Sequence, residues 1–398
     1  MAILSAYPYV KVAIDTRGLM PTATRAVGNV GIVGRAGGLG TATLNVPVMV
    51  TSELDARKAF ATTGPTGAVT ATSPLYAACK AALAQDPGPS RIYAVAVDGA
   101  GDTTDYAAGL AVLAAAEVQI VVLAGQTAVG AAGTPPRGLR ALADHVETVS
   151  SAGKRRIGVA HVDPDLTVPA SKTYAEVAES TYAPLKSPSG RMVLVAGRVP
   201  TDGGAPTFDL AAATAGAIAG LRPHYSTLLK QVRGVEIPLE RQFTPTEIAQ
   251  LSDARIESVI DPELIPGEGF FLASGLLYTS DTTKSHVDTI RVIDDLEFRL
   301  KAGLIGEIGN TRIDRFGVQQ IISRVEGILG PLRRARVIDA FSVYVPLLAT
   351  LEKEEAARTN EEGTTLATAR EERRVEVLVT VTYGPAVHVL DLQVTFKN

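Results

Sequence analysis

Residues 92–125 read IYAVAVDGAGDTTDYAAGLAVLAAAEVQIVVLAG, and this stretch decides the fold class. Two short apolar runs rich in β-branched residues, 92–98 and 118–125, flank a segment with helical spacing over 103–116. Apolar runs this short, without polar alternation, suit strands buried on both faces, and a helix between two of them is a crossover. Working outward, further runs of the same kind occur at 27–34, 45–51, 156–162 and 191–199. Helical patterns fall at 52–60, 74–85, 136–152, 172–184 and 209–221, between several of these strands. Helix-start residues agree: Ser52 precedes Glu53, Asp102 precedes TTDYAAGL, and Asp209 opens the Ala-rich segment 210–221. The span 26–240 therefore reads as an α/β domain with a parallel or mixed sheet covered by helices on both faces.

The pattern changes after residue 240. Thr244-Pro245-Thr246-Glu247 reads as N-cap, proline at the first helical position and an acid two residues on. A glycine- and proline-bearing stretch (261–281) precedes two periodic helices. Val287, Ile290, Ile293, Leu296 and Leu300 line one face of the first. Val318, Ile321, Ile322, Val325, Ile328, Leu329 and Leu332 do so on the second. Residues 337–348 read as a strand, and 352–374, with 12 charged residues in 23, as a solvated loop or frayed helix.

Both chain ends read as arms. In 375–398, VEVLVTVTYGPAVHVLDLQVTFKN, Val375, Val377, Val379 and Val381 take alternate positions. A Tyr383-Gly384-Pro385 turn follows, and then His388, Leu390, Leu392, Val394 and Phe396 alternate again. That is the spacing of two half-buried strands. Near the other end Val10, Val12 and Ile14 alternate with Lys11, Ala13 and Asp15 in a short strand. A terminal strand offers unpaired backbone donors and acceptors to another chain. This favours a polymerising structural protein over an enzyme.

The 398-residue chain is long enough for two or three domains, and 46% hydrophobic with 20% charged residues is a globular composition. A net charge of −4 gives no overall attraction to nucleic acid or anionic membrane. Cys79 is the one cysteine, lies in an apolar helical pattern, and points to a reducing compartment. The opening residues carry no secretory pattern and no apolar run is long enough to span a bilayer, so synthesis in a cytoplasm is expected.

Candidate chemical sites fail on context. The cluster Gly31-Ile-Val-Gly34-Arg-Ala-Gly37-Gly38-Leu-Gly40 resembles a phosphate cradle. Thr43 stands where the third glycine belongs, and a strand pattern rather than a helix follows. Ser151-Ala152-Gly153-Lys154 has S-x-x-K spacing, but Gly and Lys at that place are a helix stop. His161-Val162-Asp163-Pro164-Asp165 reads as a turn after a strand, and the five histidines show no metal-ligand spacing. Asp294-Asp295 and Glu371-Glu372 are sequence neighbours that do not share a helix face and read as solvated charges. No catalytic, cofactor-binding or metal-binding residue is assigned.

Taken in order, the pieces resemble the contractile tail sheath proteins of bacteriophages and phage-tail-like particles. YPYVKV (7–12) is similar to that family's opening arm. Residues 23–60, ATRAVGNVGIVGRAGGLGTATLNVPVMVTSELDARKAF, resemble its first strand, glycine loop, second strand and helix. SPLYAACKAALAQ, IYAVAV, AAATAGAIAGL, DTIRVIDDLE, IISRVEGILGPLRRARVI, VIDAFSVYV and the terminal VEVLVTVTYGPAVHVLDLQVTF follow in the family's order. The chain departs from it in lacking tryptophan and a second arginine after Arg291, and in its longer charged segment at 352–374.

The resemblance implies an outer α/β domain (26–240) inserted into an inner α+β domain built from both termini. The inner core would be 241–374, with strand arms at 1–25 and 375–398. It implies a virion subunit that stacks as six-membered rings around a tail tube and contracts to drive the tube through a target envelope. The implied partners are further copies, the tail tube protein, and baseplate and tail terminator proteins, with no nucleic acid, membrane insertion or cofactor. Val10, Val12, Ile14, Leu390, Leu392, Val394 and Phe396 would make arm contacts, and Arg324, Arg333, Arg334 and Arg336 would face the tube. Two other readings stay open: an α/β nucleotide-binding enzyme using 31–40, and another phage structural protein of baseplate or capsid.

Overall fold

The computed structural model describes residues 28–65, 68–99, 105–263, 265 and 269–388. The expected arm residues Val10, Val12, Ile14, Leu390, Leu392, Val394 and Phe396 lie outside these. Among the described residues, one compact unit holds 28–296 and 383–388, and a second holds 297–382.

The first unit is α/β. Its elements begin with β1 (Asn29–Arg35), β2 (Pro47–Val50), α1 (Glu53–Phe60), β3 (Ala61–Thr63), β4 (Val69–Thr72) and α2 (Pro74–Leu83). Then come β5 (Arg91–Val97), α3 (Tyr106–Leu113), β6 (Ile120–Leu123), α4 (Gly138–Ser151), β7 (Ile157–His161), α5 (Tyr174–Tyr182) and β8 (Met192–Ala196). A small hairpin of β9 (Thr201–Asp202) and β10 (Ala205–Pro206) leads to α6 (Leu210–Gly220), β11 (Gln231–Val232) and α7 (Pro245–Asp253). The unit closes with β12 (Glu257–Ile260), β13 (Phe270–Leu272) and the first half of α8 (Val287–Leu304).

Nine strands form one mixed sheet in the order β11-β13-β12-β8-β7-β6-β1-β5-β2. The run from β12 to β5 is parallel, with β2 and β13 antiparallel at its flanks. Strand side chains alternate between two cores. Val30 and Ile32 of β1 pack with α1, α2 and α6, whereas Val33 packs with α3, α4 and α5 on the other face. The small residues of α6 let it approach closely: a Cβ on Gly216 would lie 2.5 Å from the Ala82 carbonyl oxygen of α2. Gly31 serves the same purpose against α3, where a Cβ would meet Leu113 Cδ2 at 2.4 Å. Gly31 and Gly34 therefore belong to a packed strand and not to the glycine loop in which the sequence had grouped them.

The sheet continues past residue 240, through β12 and β13, where the sequence reading placed no strand. Glu257 interrupts the pattern at the start of β12, yet it is buried and accepts from Ser274 N, Ser274 Oγ and Leu276 N at 2.8, 3.1 and 2.8 Å. The carboxylate brackets the turn after β13. Asp102, the expected cap of α3, lies outside the described residues, and Asp105 caps the helix by accepting from Ala108 N at 3.1 Å.

The second unit contains the end of α8, α9 (Arg315–Arg334), β14 (Ala340–Tyr344), α10 (Pro346–Glu352), α11 (Asn360–Glu371) and β15 (Leu378–Thr382). Its core gathers Val318, Val345, Leu347, Leu351 and Leu366. Residues 352–374 are more ordered than a solvated loop. Thr359 and Glu362 form a reciprocal capping box at the start of α11, and Leu366 is buried.

Candidate functional site

The feature most suited to assembly is the ribbon of β14 and β15. The strands pair antiparallel from Ala340↔Thr382 to Tyr344↔Leu378. Alternation is clean: Phe341, Val343, Val379 and Val381 are half-buried, while Tyr344 and Leu378 are 59% and 46% exposed. No third strand joins this pair among the described residues. A two-stranded ribbon is marginal alone and gains most from an added strand.

The second helix of this unit supplies the basic residues. Arg333, Arg334 and Arg336 are all exposed and come together at the end of α9 and the turn beyond it. Arg324 stands apart, half-buried with Nε donating to the Gly303 carbonyl at 3.1 Å, so it helps join α9 to the end of α8. Sequence reasoning missed three apolar neighbours at the turn between these helices. Ile305, Ile308 and Phe316 are 66%, 75% and 80% exposed. Their spacing matches no stripe, which is why periodicity could not find them.

The first half of α8 departs most from expectation. Ile293, placed on the apolar stripe, is 42% exposed, while Asp288, Arg291, Asp294 and Asp295 are buried. Asp294-Asp295 is thus not a solvated pair. Arg191 at the start of β8 donates Nη1 to Asp294 Oδ2 at 2.6 Å, and Arg291 Nη2 donates to the Leu221 carbonyl at 2.8 Å. Burial pulls the Arg291 guanidinium down to about 10 against the opposing pull of Asp295, Asp288 and Asp294. Asp294 and Arg291 are each sheltered by a partner distant in sequence, a link that no single helix pattern reveals.

Residues 383–388 dock on this same half-helix. Tyr383 OH donates to Asp288 Oδ2 at 2.7 Å, and His388 Nε2 lies 2.8 Å from Ser226 Oγ. The His388 ring meets His286 edge-on at 4.8 Å. Burial, and next the His388 charge, lower the His286 pKa.

The expected chemical motifs resolve into structural roles. Beyond β1 the chain turns through Gly37, Gly38 and Gly40 in left-handed conformations and leads into strand β2, with no helix N-terminus for a phosphate. Ser151 Oγ donates to the Thr148 carbonyl and Lys154 Nζ to the carbonyls of Ala114 and Ala115, so they do not form a nucleophile–base pair. His161 is buried against the Gly197 carbonyl, and Asp163 and Asp165 serve the adjacent turn. Among the described residues no three His, Cys, Asp or Glu side chains gather as a metal site.

The sequence matches no protein-family model and no curated relative. Solved structures match along nearly the whole chain. The sheath of an extracellular contractile injection system (PVC) in its contracted state aligns over 99% of this chain and 98% of its own, with TM-score 0.65 and 14% identity. The helical sheath of the anti-feeding prophage, also contracted, aligns over 98% and 99% with TM-score 0.64 and 14% identity. A sheath tail protein from Desulfitobacterium hafniense aligns over 84% and 93% with TM-score 0.56 and 11% identity. The chain has the fold of contractile tail sheath proteins, a mixed α/β architecture with a nine-stranded sheet and small accessory sheets.

Proposed function

We propose that this chain is a structural subunit of a contractile sheath, which polymerises as stacked six-membered rings around a tube and shortens to drive that tube through a cell envelope. The observation that carries the reading is the end-to-end likeness to subunits of contracted sheaths. A further match comes from a six-fold symmetrised baseplate of the anti-feeding prophage, which accords with six-membered rings. The larger α/β unit would be the outer domain, and the unit holding the two-stranded ribbon the inner one. Strand arms from neighbouring copies, carrying Val10, Val12 and Ile14 or Leu390, Leu392, Val394 and Phe396, would complete the edges of β14 and β15. Arg333, Arg334 and Arg336 would face the tube, and Arg324 would position the helix that bears them.

Baseplate and terminator proteins would meet the two ends of such a polymer in the particle. No described helix is long and apolar enough to cross a membrane. No catalytic step is assigned, since free energy stored in an extended assembly can drive contraction without nucleotide. Negative-stain electron microscopy of the purified chain tests the reading. Hollow tubes or rings are the expected result, and a protein that stays monomeric at every concentration and salt would refute it.

A further inference from the structure

A cavity of about 270 Å³ opens at the carboxyl edge of the nine-stranded sheet, within the larger unit. Its position follows from topology. After β1 the chain runs to α1 and α2 on one face, and after β6 it runs to α4 on the other. Because β1 and β6 are paired neighbours, their outgoing loops diverge and leave a crevice between the strand ends. Crevices at such a switch point are where open α/β sheets bind ligands.

Polar capacity in the cavity is unspent. Arg35, at the end of β1, is half-buried and makes no hydrogen bond or ion pair among the described residues. His161, at the end of β7, is 3% exposed with Nε2 3.0 Å from the Gly197 carbonyl. A carbonyl only accepts, so Nε2 carries the proton and Nδ1 is left as a lone-pair acceptor with no hydrogen bond among the described residues. Burial holds this ring's pKa down to about 4, so the acceptor persists at neutral pH. Asp209 also lines the wall, but its oxygens accept from Gly125 N and Ala212 N, both at 2.8 Å. Pro74, Pro206 and Phe208 add an apolar side.

We propose that this cavity binds a small free carboxylic acid bearing an adjacent N–H or O–H donor and an apolar side chain, that is, an amino or hydroxy acid. The carboxylate would pair with Arg35, the donor would meet His161, and the side chain would lie against Phe208 and the prolines. The cavity lies just below the size of most ligand clefts, roughly 300–1,000 Å³, which suits a molecule of about a dozen heavy atoms. This inference is independent of the sheath reading.

Calorimetric titration of the full chain with L-phenylalanine and L-phenyllactate, with L-phenylalaninamide as the control lacking a carboxylate, tests it. Saturable binding of at least one acid, weakened about tenfold or more by Arg35→Gln and less by Arg35→Lys, is expected. Saturation should also move the His161 Nδ1 resonance in the unaltered protein, a readout independent of any variant. Absent binding, an amide that binds as well as the acid, an affinity indifferent to Arg35→Gln, or an unmoved His161 resonance would each overturn the proposal.

Discussion

Two buried histidines tie the stability of the larger unit to pH. Arg156 Nη1 lies 2.9 Å from His145 Nε2, and since a guanidinium can only donate, that nitrogen must be unprotonated. Burial and then the Arg156 charge lower His145 to about 4, and burial lowers His161 to about 4, both from 6.5. As pH falls below 6.5 the unfolded chain binds protons that the folded unit refuses, so stability declines until the folded values near 4 are reached. Each ring accounts for at most about 3 kcal/mol over that window. Urea midpoints should therefore fall between neutrality and mild acid, and His145→Gln, which keeps an acceptor for Arg156, should flatten the decline. The buried ion pair makes a second test. Asp294→Ala leaves Arg191 buried without its acid and should cost about 3–5 kcal/mol, whereas Arg191→Met with Asp294→Leu should recover most of it. Chemical denaturation of the three proteins measures both. These residues show where sequence reading stops. Asp294 looked solvated because its shelter, Arg191, arrives from a distant strand end, and Glu257 hid a strand because its three donors come from the following turn.

At the scale of elements, the two-stranded ribbon and the basic end of α9 carry the predictions. Deleting 387–398 should leave a folded subunit that no longer polymerises, seen as an unchanged circular dichroism spectrum with loss of tubes under the microscope. Long tubes from the truncated chain would remove the arm from the assembly account. Reversing Arg333, Arg334 and Arg336 to glutamate should weaken co-sedimentation with tube protein, most visibly at low salt where screening is least, while self-association persists. The sheet strands β1, β2, β5, β6, β7 and β8 and the helices α1 to α6 were legible because both cores demand long apolar or strongly periodic segments. Ser52, Asp209 and Thr244 marked the starts of α1, α6 and α7, whereas the short hairpins β3–β4 and β9–β10 left no such signal. The pair β12 and β13 was not, being short and held by edge pairing more than by its own pattern. Residues 352–374 are mostly exposed, as their charge content implied, but the Thr359–Glu362 box and buried Leu366 hold part of them as the regular helix α11.

For the whole molecule, the sheath reading requires purified, metal-free protein to assemble without nucleotide. Thermal-shift screening against ATP, NAD and divalent metals should give no saturable stabilisation, and a clear micromolar ligand among them would revive the nucleotide-binding alternative. The order of weak motifs along the chain carried the sequence resemblance, and the same order reappears as an alignment over nearly all of a sheath subunit at 14% identity. At that identity few side chains are shared, so residue-level contacts could not be carried across with the fold. Cys79 offers a way to watch such a subunit at work. It is the one cysteine, sits at 0% exposure inside α2, and burial pushes its thiol well above the ordinary range. Buried and held as the neutral thiol at neutral pH, Cys79 should react little with a maleimide, so the native chain is expected to stay unlabelled by thiol dyes. A single Phe316→Cys or Tyr344→Cys would therefore take a fluorophore at one defined place, with no wild-type cysteine to remove first. With no tryptophan in the chain, an engineered one could be excited at wavelengths where the tyrosines barely absorb, and any distance change during the proposed contraction would become optically readable.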